Sequence, residues 1–235
     1  FEMCGIAGFL ETTPTREDSG LRELVGRMTE TLHHRGPDGS GIWVDQRAGI
    51  ALGHRRLAII DLTPAGAQPM ASACGRFVIT YNGEVYNFLE LRQDLESRGY
   101  RFRGHSDTEV VLEAIAEWGI ESALQRLNGM YAFALWDKES RTLTLARDRA
   151  GKKPLYYGWC GRTFLFGSEL KALRAHPDFQ GDLDSDALGL FIQYSWIPAP
   201  FSIFRKVRKL EAGSFLTIAP SGPGAGASPR RYWSA

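Results

Sequence analysis

The stretch Cys4-Gly5-Ile6-Ala7-Gly8-Phe9-Leu10 is a short apolar run that contains two glycines. Such a run is typical of a buried β-strand that other backbone segments approach closely. We therefore predict a core strand near the beginning of the sequence. Cys4 opens this strand, so its thiol is expected at the end of a buried element.

The segment that follows predicts an amphipathic helix. Its apolar residues recur at steps of three and four, which places them on one helical face. They are Leu21, Leu24, Val25, Met28 and Leu32, and the pattern stops before Gly36-Pro37.

Two more helices are predicted from their capping residues. In a capping box, a side chain at the first position and a carboxylate or amide three residues later satisfy backbone N–H groups of the first turn. This spacing occurs at Asn87 and Glu90 and at Ser106 and Glu109, with Gly99 and Gly119 where the two helices should end.

Segments rich in β-forming residues lie between and after these helices. They cover residues 50–60, 76–81, 130–136, 142–147, 154–159 and 163–167. The short links between several of them favour antiparallel pairing, because parallel strands need long crossover connections. Strands in runs with helices between them predict an α+β fold, and several sheet-on-sheet arrangements fit this pattern.

The composition is that of a globular protein with a small-molecule ligand. The 235 residues are 43% hydrophobic and carry a formal net charge of +1 at pH 7. So small a charge disfavours nonspecific binding to nucleic acid or anionic lipid. The sequence has neither the apolar run of about 20 residues that spans a membrane nor a secretory signal pattern, so we expect a cytoplasmic protein.

The three cysteines predict neither a disulfide framework nor a metal site. Cys4, Cys74 and Cys160 are widely spaced and form no CxxC pair. Taken alone, Cys4 would be a small apolar core residue. It follows Met3, however, and a cysteine that becomes the first residue has a free α-amine with a pKa of about 7.7–8.0, which can serve as its general base.

Four motifs in a fixed order carry a resemblance to a known family. They are Cys4-Gly5-Ile6-Ala7-Gly8, His34-Arg35-Gly36-Pro37-Asp38, Asn82-Gly83-Glu84-Val85-Tyr86-Asn87 and Ser106-Asp107-Thr108-Glu109. This set resembles class II glutamine amidotransferases. Together with Arg147-Asp148-Arg149, residues 153–157 and residues 168–173, it is most similar to the glutaminase domain of glutamine-hydrolysing asparagine synthetases.

The resemblance implies an N-terminal-nucleophile hydrolase fold, a four-layer α/β/β/α sandwich with two stacked, mainly antiparallel sheets. It implies a glutaminase domain over residues 4–219. We interpret residues 1–3 as a tag remnant followed by an initiator methionine. Residues 220–235 are interpreted as a loop or linker toward an ATP-dependent synthetase domain.

The resemblance also assigns catalytic roles. It makes Cys4 the nucleophile and forms the oxyanion hole from the Asn82 side-chain amide and the Gly83 backbone N–H. Two neutral, fixed donors suit the negative charge of a tetrahedral intermediate. The alternative for Asn82-Gly83 is a β-hairpin turn, for which the Asn-Gly pair is a strong signal.

Substrate binding is assigned to Arg56, Ile59, Glu84 and Asp107. Arg56 would hold the α-carboxylate of glutamine in a bidentate contact, and Asp107 would hold the α-ammonium group. The adjacent Arg55 should point to the opposite face of the strand. The alternative for Asp107 is structural, because an acidic residue in the first turn of a helix is stabilised by the helix dipole.

The histidines are not assigned to catalysis, which the amine of Cys4 would serve. They are His33, His34, His54, His105 and His176. Arg35 is expected to pair with Asp38. Residues 147–157 are interpreted as scaffold that could also face an ammonia-accepting domain.

The predicted reaction is hydrolysis of L-glutamine to glutamate and ammonia through a γ-glutamyl thioester on Cys4, with no metal or organic cofactor. The resemblance implies that ammonia passes to a C-terminal synthetase domain, where ATP and Mg²⁺ activate a carboxylate, usually aspartate. A homodimer is compatible with this family, and neither nucleic acid nor a membrane is an expected partner.

Three alternatives remain open at this point. The acceptor could be a carboxylate on a sugar or a secondary metabolite. The domain could belong to an amidotransferase of glucosamine-phosphate or purine synthesis. It could also be a non-catalytic glutamine-binding or docking domain, because Cys4 has a peptide bond to Met3 and its nitrogen is then no base.

Overall fold

The computed structural model describes residues 3–58, 63–220, 222 and 227–234. The strands in these residues are β1 (Gly5–Glu11), β2 (Gly39–Asp45), β3 (Ile50–Arg56), β4 (Met70–Ala71), β5 (Phe77–Val85), β6 (Gly129–Asp137), β7 (Thr142–Arg147), β8 (Tyr156–Cys160), β9 (Thr163–Gly167), β10 (Val207–Lys209), β11 (Ser214–Ile218) and β12 (Arg230–Arg231). They form two six-stranded sheets in the orders β10-β8-β9-β1-β3-β2 and β12-β11-β7-β6-β5-β4. Neighbouring strands are antiparallel throughout both sheets, as the short links between strands predicted.

The helices are α1 (Asp18–Glu30), α2 (Phe88–Ser97), α3 (Asp107–Trp118), α4 (Ile120–Arg126), α5 (Leu170–Arg174) and α6 (Ser185–Tyr194). Helix α6 is largely exposed, and Ala187 is its one buried residue. Helices α1 and α5 pack on the first sheet, and α2, α3 and α4 pack on the second. This is the predicted α/β/β/α order of layers. Of the helices described, none is long and apolar enough to cross a membrane.

Strand β1 shows why its sequence is apolar along its whole length. All of its residues are buried, because it has neighbours on both faces. Ile6 and Leu10 belong to the core between the two sheets, while Ala7 and Phe9 face the core beneath α1. Gly8 is required by close packing, since a Cβ there would come within 2.4 Å of the phenylalanine ring of a neighbouring strand. The prediction of a core strand with closely approached glycines is confirmed, with the strand beginning at Gly5, directly after Cys4.

The two predicted capping boxes have different outcomes. Ser106 caps α3, because its Oγ accepts a hydrogen bond of 3.1 Å from the Thr108 backbone N–H. The second half of that box is absent, since the Glu109 carboxylate accepts from the Gly104 N–H at 3.0 Å and is directed away from Ser106. The predicted helix end at Gly119 is confirmed, with a φ of +75° that suits glycine.

The prediction that Asn87 caps α2 through its side chain is wrong. Its Nδ2 donates to the Arg126 carbonyl and its Oδ1 accepts from the Asn128 N–H, each at 3.0 Å. Asn87 therefore bridges the start of α2 to the segment between α4 and β6. Both hydrogen bonds of the Asn87 side chain are made with backbone groups that are distant in sequence. Helix α2 therefore begins without a side-chain cap.

The end of the sequence also packs on the domain. Strand β12 pairs with β11, and Tyr232 is only 8% exposed. The Tyr232 hydroxyl lies 2.8 Å from that of Tyr131 and donates to the Arg147 carbonyl at 2.9 Å. The packed domain therefore extends to Tyr232, past the boundary that the sequence predicted at residue 219. Residues 1–2, 221, 223–226 and 235, on which the tag and linker predictions partly fall, lie outside the described residues.

Candidate active site

A cavity opens where the ends of β1, β3 and β5 meet the N-terminus of α3. It brings together six of the seven residues predicted for the site, which are Cys4, Arg56, Asn82, Gly83, Glu84 and Asp107. The seventh, Ile59, lies outside the described residues. The two sheets thus contribute jointly, because the first provides the thiol and a guanidinium and the second provides an amide, a backbone N–H and a carboxylate.

Cys4 lies immediately before β1, and its Sγ accepts a hydrogen bond of 3.3 Å from the Leu57 backbone N–H. Burial raises the pKa of the thiol. The Leu57 N–H and the positive charges of Lys153 and Arg56 act in the opposite direction. The thiol therefore needs a base or a stabilising cation to ionise near neutral pH.

Arg35 anchors the main chain at Cys4. Its Nε donates to the Cys4 carbonyl at 3.0 Å, and its Nη1 forms an ion pair of 2.8 Å with Glu169. The predicted pairing of Arg35 with Asp38 is wrong, because Asp38 accepts instead from the Ala58 N–H at 2.9 Å. The Arg35 guanidinium is therefore directed toward Cys4 and Glu169.

Asn82 and Gly83 lie inside β5 and pair with β6 opposite Ala132 and Tyr131, so the hairpin alternative is wrong. Asn82 is 1% exposed, and its Nδ2 has no hydrogen-bond partner among the described residues. A buried N–H without an acceptor is costly, and this one lies at the cavity, where it is available as a donor. At Gly83, a Cβ would lie 2.5 Å from the Met130 carbonyl oxygen, so only glycine fits.

Arg55 and Arg56 point to opposite sides of β3, as the alternation of strand side chains predicted. Arg55 forms an ion pair with Glu30 of α1. Arg56 lines the cavity, and its Nη1 donates to the Thr63 carbonyl at 3.2 Å. Of the two adjacent arginines, only Arg56 lines the cavity.

Asp107 is the first residue of α3 and is 4% exposed. Its Oδ2 accepts hydrogen bonds of 3.0 Å from the Tyr81 hydroxyl and the Val85 N–H. Burial raises the pKa of this carboxyl, although both hydrogen bonds favour its charged form. Asp107 thus lies in the first turn of a helix, as the structural alternative requires. It also lines the cavity beside Glu84.

Lys153 is a cavity residue that no sequence motif assigned to the site, because it lies in the segment interpreted as scaffold. It lines the cavity beside Cys4 and is 4% exposed. The Asp148 carboxylate shapes the loop that delivers it, accepting from the backbone N–H groups of Ala150, Lys152 and Lys153 at 2.9–3.0 Å. The sequence shows only a lysine directly before Pro154 in a charged segment. That pattern does not indicate whether the lysine side chain points into the cavity or toward solvent.

A family comparison agrees with this geometry. The model of the glutamine amidotransferase domain family matches residues 3–233, which is nearly the whole sequence. The chain belongs to that family. The amidotransferase domain is an enzyme domain, and its match includes every residue that lines the cavity.

Two curated relatives of this amidotransferase domain are asparagine synthetases. Asparagine synthetase [glutamine-hydrolyzing] 3 of Bacillus subtilis is 38% identical over 235 residues, which are 99% of this chain and 37% of the relative. Asparagine synthetase [glutamine-hydrolyzing] 1 of the same organism is 39% identical over 221 residues, 94% of this chain and 34% of the relative. The amidotransferase domain thus spans about a third of the length of these relatives.

A solved structure confirms the fold of the amidotransferase domain. Glutamine phosphoribosylpyrophosphate amidotransferase from B. subtilis superposes with a TM-score of 0.71 at 23% identity. The alignment covers 99% of this chain and 50% of that chain. The two stacked antiparallel sheets are therefore those of the N-terminal-nucleophile hydrolase sandwich.

Histidine has no direct part in the cavity of the amidotransferase domain, because no described histidine lines it. His54 is fully buried on β3, and its Nε2 lies 3.0 Å from the Tyr81 carbonyl of β5. Burial lowers the pKa of His54 to about 4. His176 packs edge-on against Phe9, and burial lowers its pKa to about 4 as well. Both imidazoles are neutral core groups at neutral pH.

Proposed function

We propose that this domain hydrolyses L-glutamine to glutamate and ammonia through a γ-glutamyl thioester on Cys4, and that it supplies ammonia to an ATP-dependent amidation of the asparagine-synthetase type. The observation that carries the proposal is the buried Asn82 Nδ2, which has no hydrogen-bond partner among the described residues and lies in the same cavity as the Cys4 thiol. This pairing of a nucleophile with an unused N–H donor suits acyl transfer.

In the first step, the Cys4 sulfur attacks the side-chain carbonyl carbon of glutamine. The former carbonyl oxygen becomes negatively charged, and the Asn82 Nδ2 and Gly83 N–H donate to it. The carbon–nitrogen bond then breaks, and the departing nitrogen takes up the proton that the thiol gave to the base, so that ammonia leaves. Water attacks the thioester, which releases glutamate and restores the thiol.

Charges around the cavity suit the two ends of the amino acid. The Arg56 guanidinium is the proposed partner of the α-carboxylate, as a planar donor that can bind both oxygens. Asp107 and Glu84 are the proposed partners of the α-ammonium group on the other side. Because Asp107 is already held by Tyr81 and Val85, it requires little reordering when the substrate binds.

The general base is the proposed α-amine of Cys4, in a chain whose first residue is Cys4. Burial raises the pKa of the thiol, so a base close to it is needed at neutral pH. With Met3 attached, the Cys4 nitrogen is an amide and cannot accept the proton. We propose that removal of residues 1–3 activates the domain.

The acceptor of ammonia is proposed from the relatives. Their names describe glutamine-hydrolysing synthesis of asparagine, and this chain spans about a third of their length. The proposed partner is a synthetase domain that uses ATP and Mg²⁺ to activate aspartate.

The peptide bond between Met3 and Cys4 favours a second candidate, a glutamine-binding domain without turnover. The test compares three proteins: one that begins with Cys4, one that retains Met3, and a Cys4→Ala variant. Glutamate and ammonia release are measured for each. We expect the Cys4-first protein to be faster than the Met3 protein by about 10²–10⁴-fold, the typical contribution of a general base.

Two results would decide between the candidates. Equal glutamine hydrolysis by the Cys4-first protein and its Cys4→Ala variant would eliminate the thioester mechanism. Glutamine binding by calorimetry without turnover in the Cys4-first protein would support the non-catalytic candidate. A glutamine-like electrophile should add one adduct to Cys4 in the intact mass of the active form.

A further inference from the structure

Lys153 is a buried cation. It is 4% exposed, and among the described residues no carboxylate forms an ion pair with it. Its Nζ lies 2.8 Å from the Met3 sulfur, a thioether that is only a weak acceptor. Burying an ammonium group is costly unless a negative charge compensates it, so this position calls for an anion.

The main chains of Cys4 and Lys153 are both held in place. Arg35 donates to the Cys4 carbonyl at 3.0 Å. The Lys153 N–H donates to Asp148 at 3.0 Å, and the Lys153 carbonyl accepts from Arg147 at 2.7 Å. Two groups fixed on their own backbones in one cavity can interact without a large ordering cost.

The other charges that face Cys4 come from several elements, and most have partners or proposed roles. Arg35, from the turn after α1, pairs with Glu169 of the segment before α5. Arg56 of β3 is the proposed partner of the substrate carboxylate. The negative charge of that carboxylate would cancel the positive potential of Arg56 at the thiol. The negative groups that line the cavity are Glu84 of β5 and Asp107 of α3. The charges of Glu84 and of Asp148, on the loop after β7, raise the pKa of Lys153.

We propose that the Lys153 ammonium is the counter-charge of the Cys4 thiolate and so sets the reactivity of the nucleophile. Lys153 is therefore a positioning residue that acts through Cys4. The inference rests on the proposed function for its role in turnover. Removal of Met3 would strengthen the pairing, because the thioether acceptor of Lys153 leaves with it.

Lys153 and Cys4 each stabilise the charged form of the other. The positive charge of Lys153 lowers the pKa of the Cys4 thiol against the effect of burial. The Cys4 thiolate raises the pKa of Lys153, which burial lowers. A positive charge here would also help keep an α-amine on Cys4 neutral, and hence able to accept a proton.

The test is the pH dependence of Cys4 alkylation by iodoacetamide, measured on the Cys4 peptide by mass spectrometry so that Cys74 and Cys160 do not contribute. In a Lys153→Met variant we expect the midpoint to rise by about one pH unit, which is about a tenfold loss of thiolate at a given pH below the midpoint. Lys152→Met is the matched control, because Lys152 is exposed on the same loop. Lys153→Arg should stay near the parent midpoint.

An unchanged midpoint in Lys153→Met, or an equal rise in Lys152→Met, would overturn the inference. If Lys153→Met does not fold, the reciprocal measurement decides, since the coupling between two sites is mutual. The pKa of Lys153, followed by NMR of its labelled ε-carbon, should fall in a Cys4→Ser protein, and an unchanged value would reject the pairing. Neither readout needs glutamine, so a shifted midpoint without turnover would reject the proposed function alone.

Discussion

The two sides of the Cys4 cavity are held by different means. Asn82 and Gly83 lie within β5, whose backbone pairs with β6 continuously from Phe77 to Val85. Lys153 lies on the loop after β7, where the carboxylate of Asp148 accepts from three backbone N–H groups and the guanidinium of Arg147 donates to two carbonyls. One side therefore depends on strand pairing, and the other depends on two side chains.

This difference matches what each side has to do. Donors to an oxyanion work at 2.7–3.1 Å, so a small displacement loses their effect, and a paired strand gives the required precision. A counter-charge acts through a potential that falls gradually with distance, so a loop is sufficient. Changes on β5 should thus alter the rate of the chemical step, whereas changes on the loop should alter stability and the ionisation of Cys4.

The largest expected effect is that of Asn82→Ala on turnover. In the Cys4-first protein, kcat for glutamine should fall by about 10²–10³-fold, because one of two oxyanion donors is lost. The free energy of unfolding should hardly fall through lost hydrogen bonds, since Nδ2 has no partner among the described residues. Steady-state kinetics and urea unfolding measure the two quantities.

Asn128→Ala is the matched control for this prediction, because Asn128 is exposed directly before β6 and does not line the cavity. Its kcat should equal that of the parent. If Asn82→Ala raised KM and left kcat unchanged, Asn82 would contact the ground state of glutamine, and the strand side would have no special role in the chemical step.

The fold could be predicted where local pattern and tertiary burial agree. Strand β1 and helix α1 have apolar periodicities that match their final environments, and the motif order selected the sandwich. Strand β2 was missed because its burial alternates only weakly along Gly39–Asp45. Helix α6 was not predicted, although Asp184 caps it through its side chain, and most of its apolar residues are exposed.

The candidate site was predictable only in part, and for a physical reason. The six predicted residues in the described cavity were named by motif, and the strand alternation separated Arg56 from Arg55. Lys153 could not be found in this way, because its direction depends on hydrogen bonds from a loop backbone to Asp148. The Asn87 cap failed similarly, since a distant carbonyl and N–H provide its partners.

The second prediction concerns His54, which joins the two sheets behind the strand side of the cavity. Its pKa is about 4 in the folded protein, against 6.5 for the unperturbed group. Between these values the unfolded state binds more protons, so the free energy of unfolding falls as pH decreases from about 6.5 to 4. The full shift corresponds to about 3 kcal/mol.

Urea unfolding over pH 4–7 measures this contribution as the difference in slope between the parent and His54→Gln. His176→Gln is the matched control, because His176 has a similarly lowered pKa but packs away from β5. Only His54→Gln should combine a flatter pH dependence with a change in kcat. Parallel stability curves for the parent and His54→Gln would show that His54 does not hold the sheets together in its neutral form.

The smallest expected effect tests the loop side. In Asp148→Asn, an amide replaces an oxygen that accepts from the Tyr131 N–H at 3.2 Å and the Lys153 N–H at 3.0 Å. Unfolding free energy should fall by about 1–3 kcal/mol, because buried N–H groups lose their acceptor. The alkylation midpoint of Cys4 should rise by less than in Lys153→Met, since the cation is displaced but retained.

Asp45→Asn is the control for that loss, because the Asp45 carboxylate accepts a single turn N–H at 3.2 Å and the variant retains an acceptor. Its stability should change by less than about 0.5 kcal/mol. If Asp148→Asn were equally stable and kept the Cys4 midpoint, the Arg147 guanidinium, which donates to the Lys153 and Gly151 carbonyls, would be the group that holds the loop. The loop side would then be fixed from its carbonyls, and Arg147→Lys should show the loss expected here for Asp148→Asn.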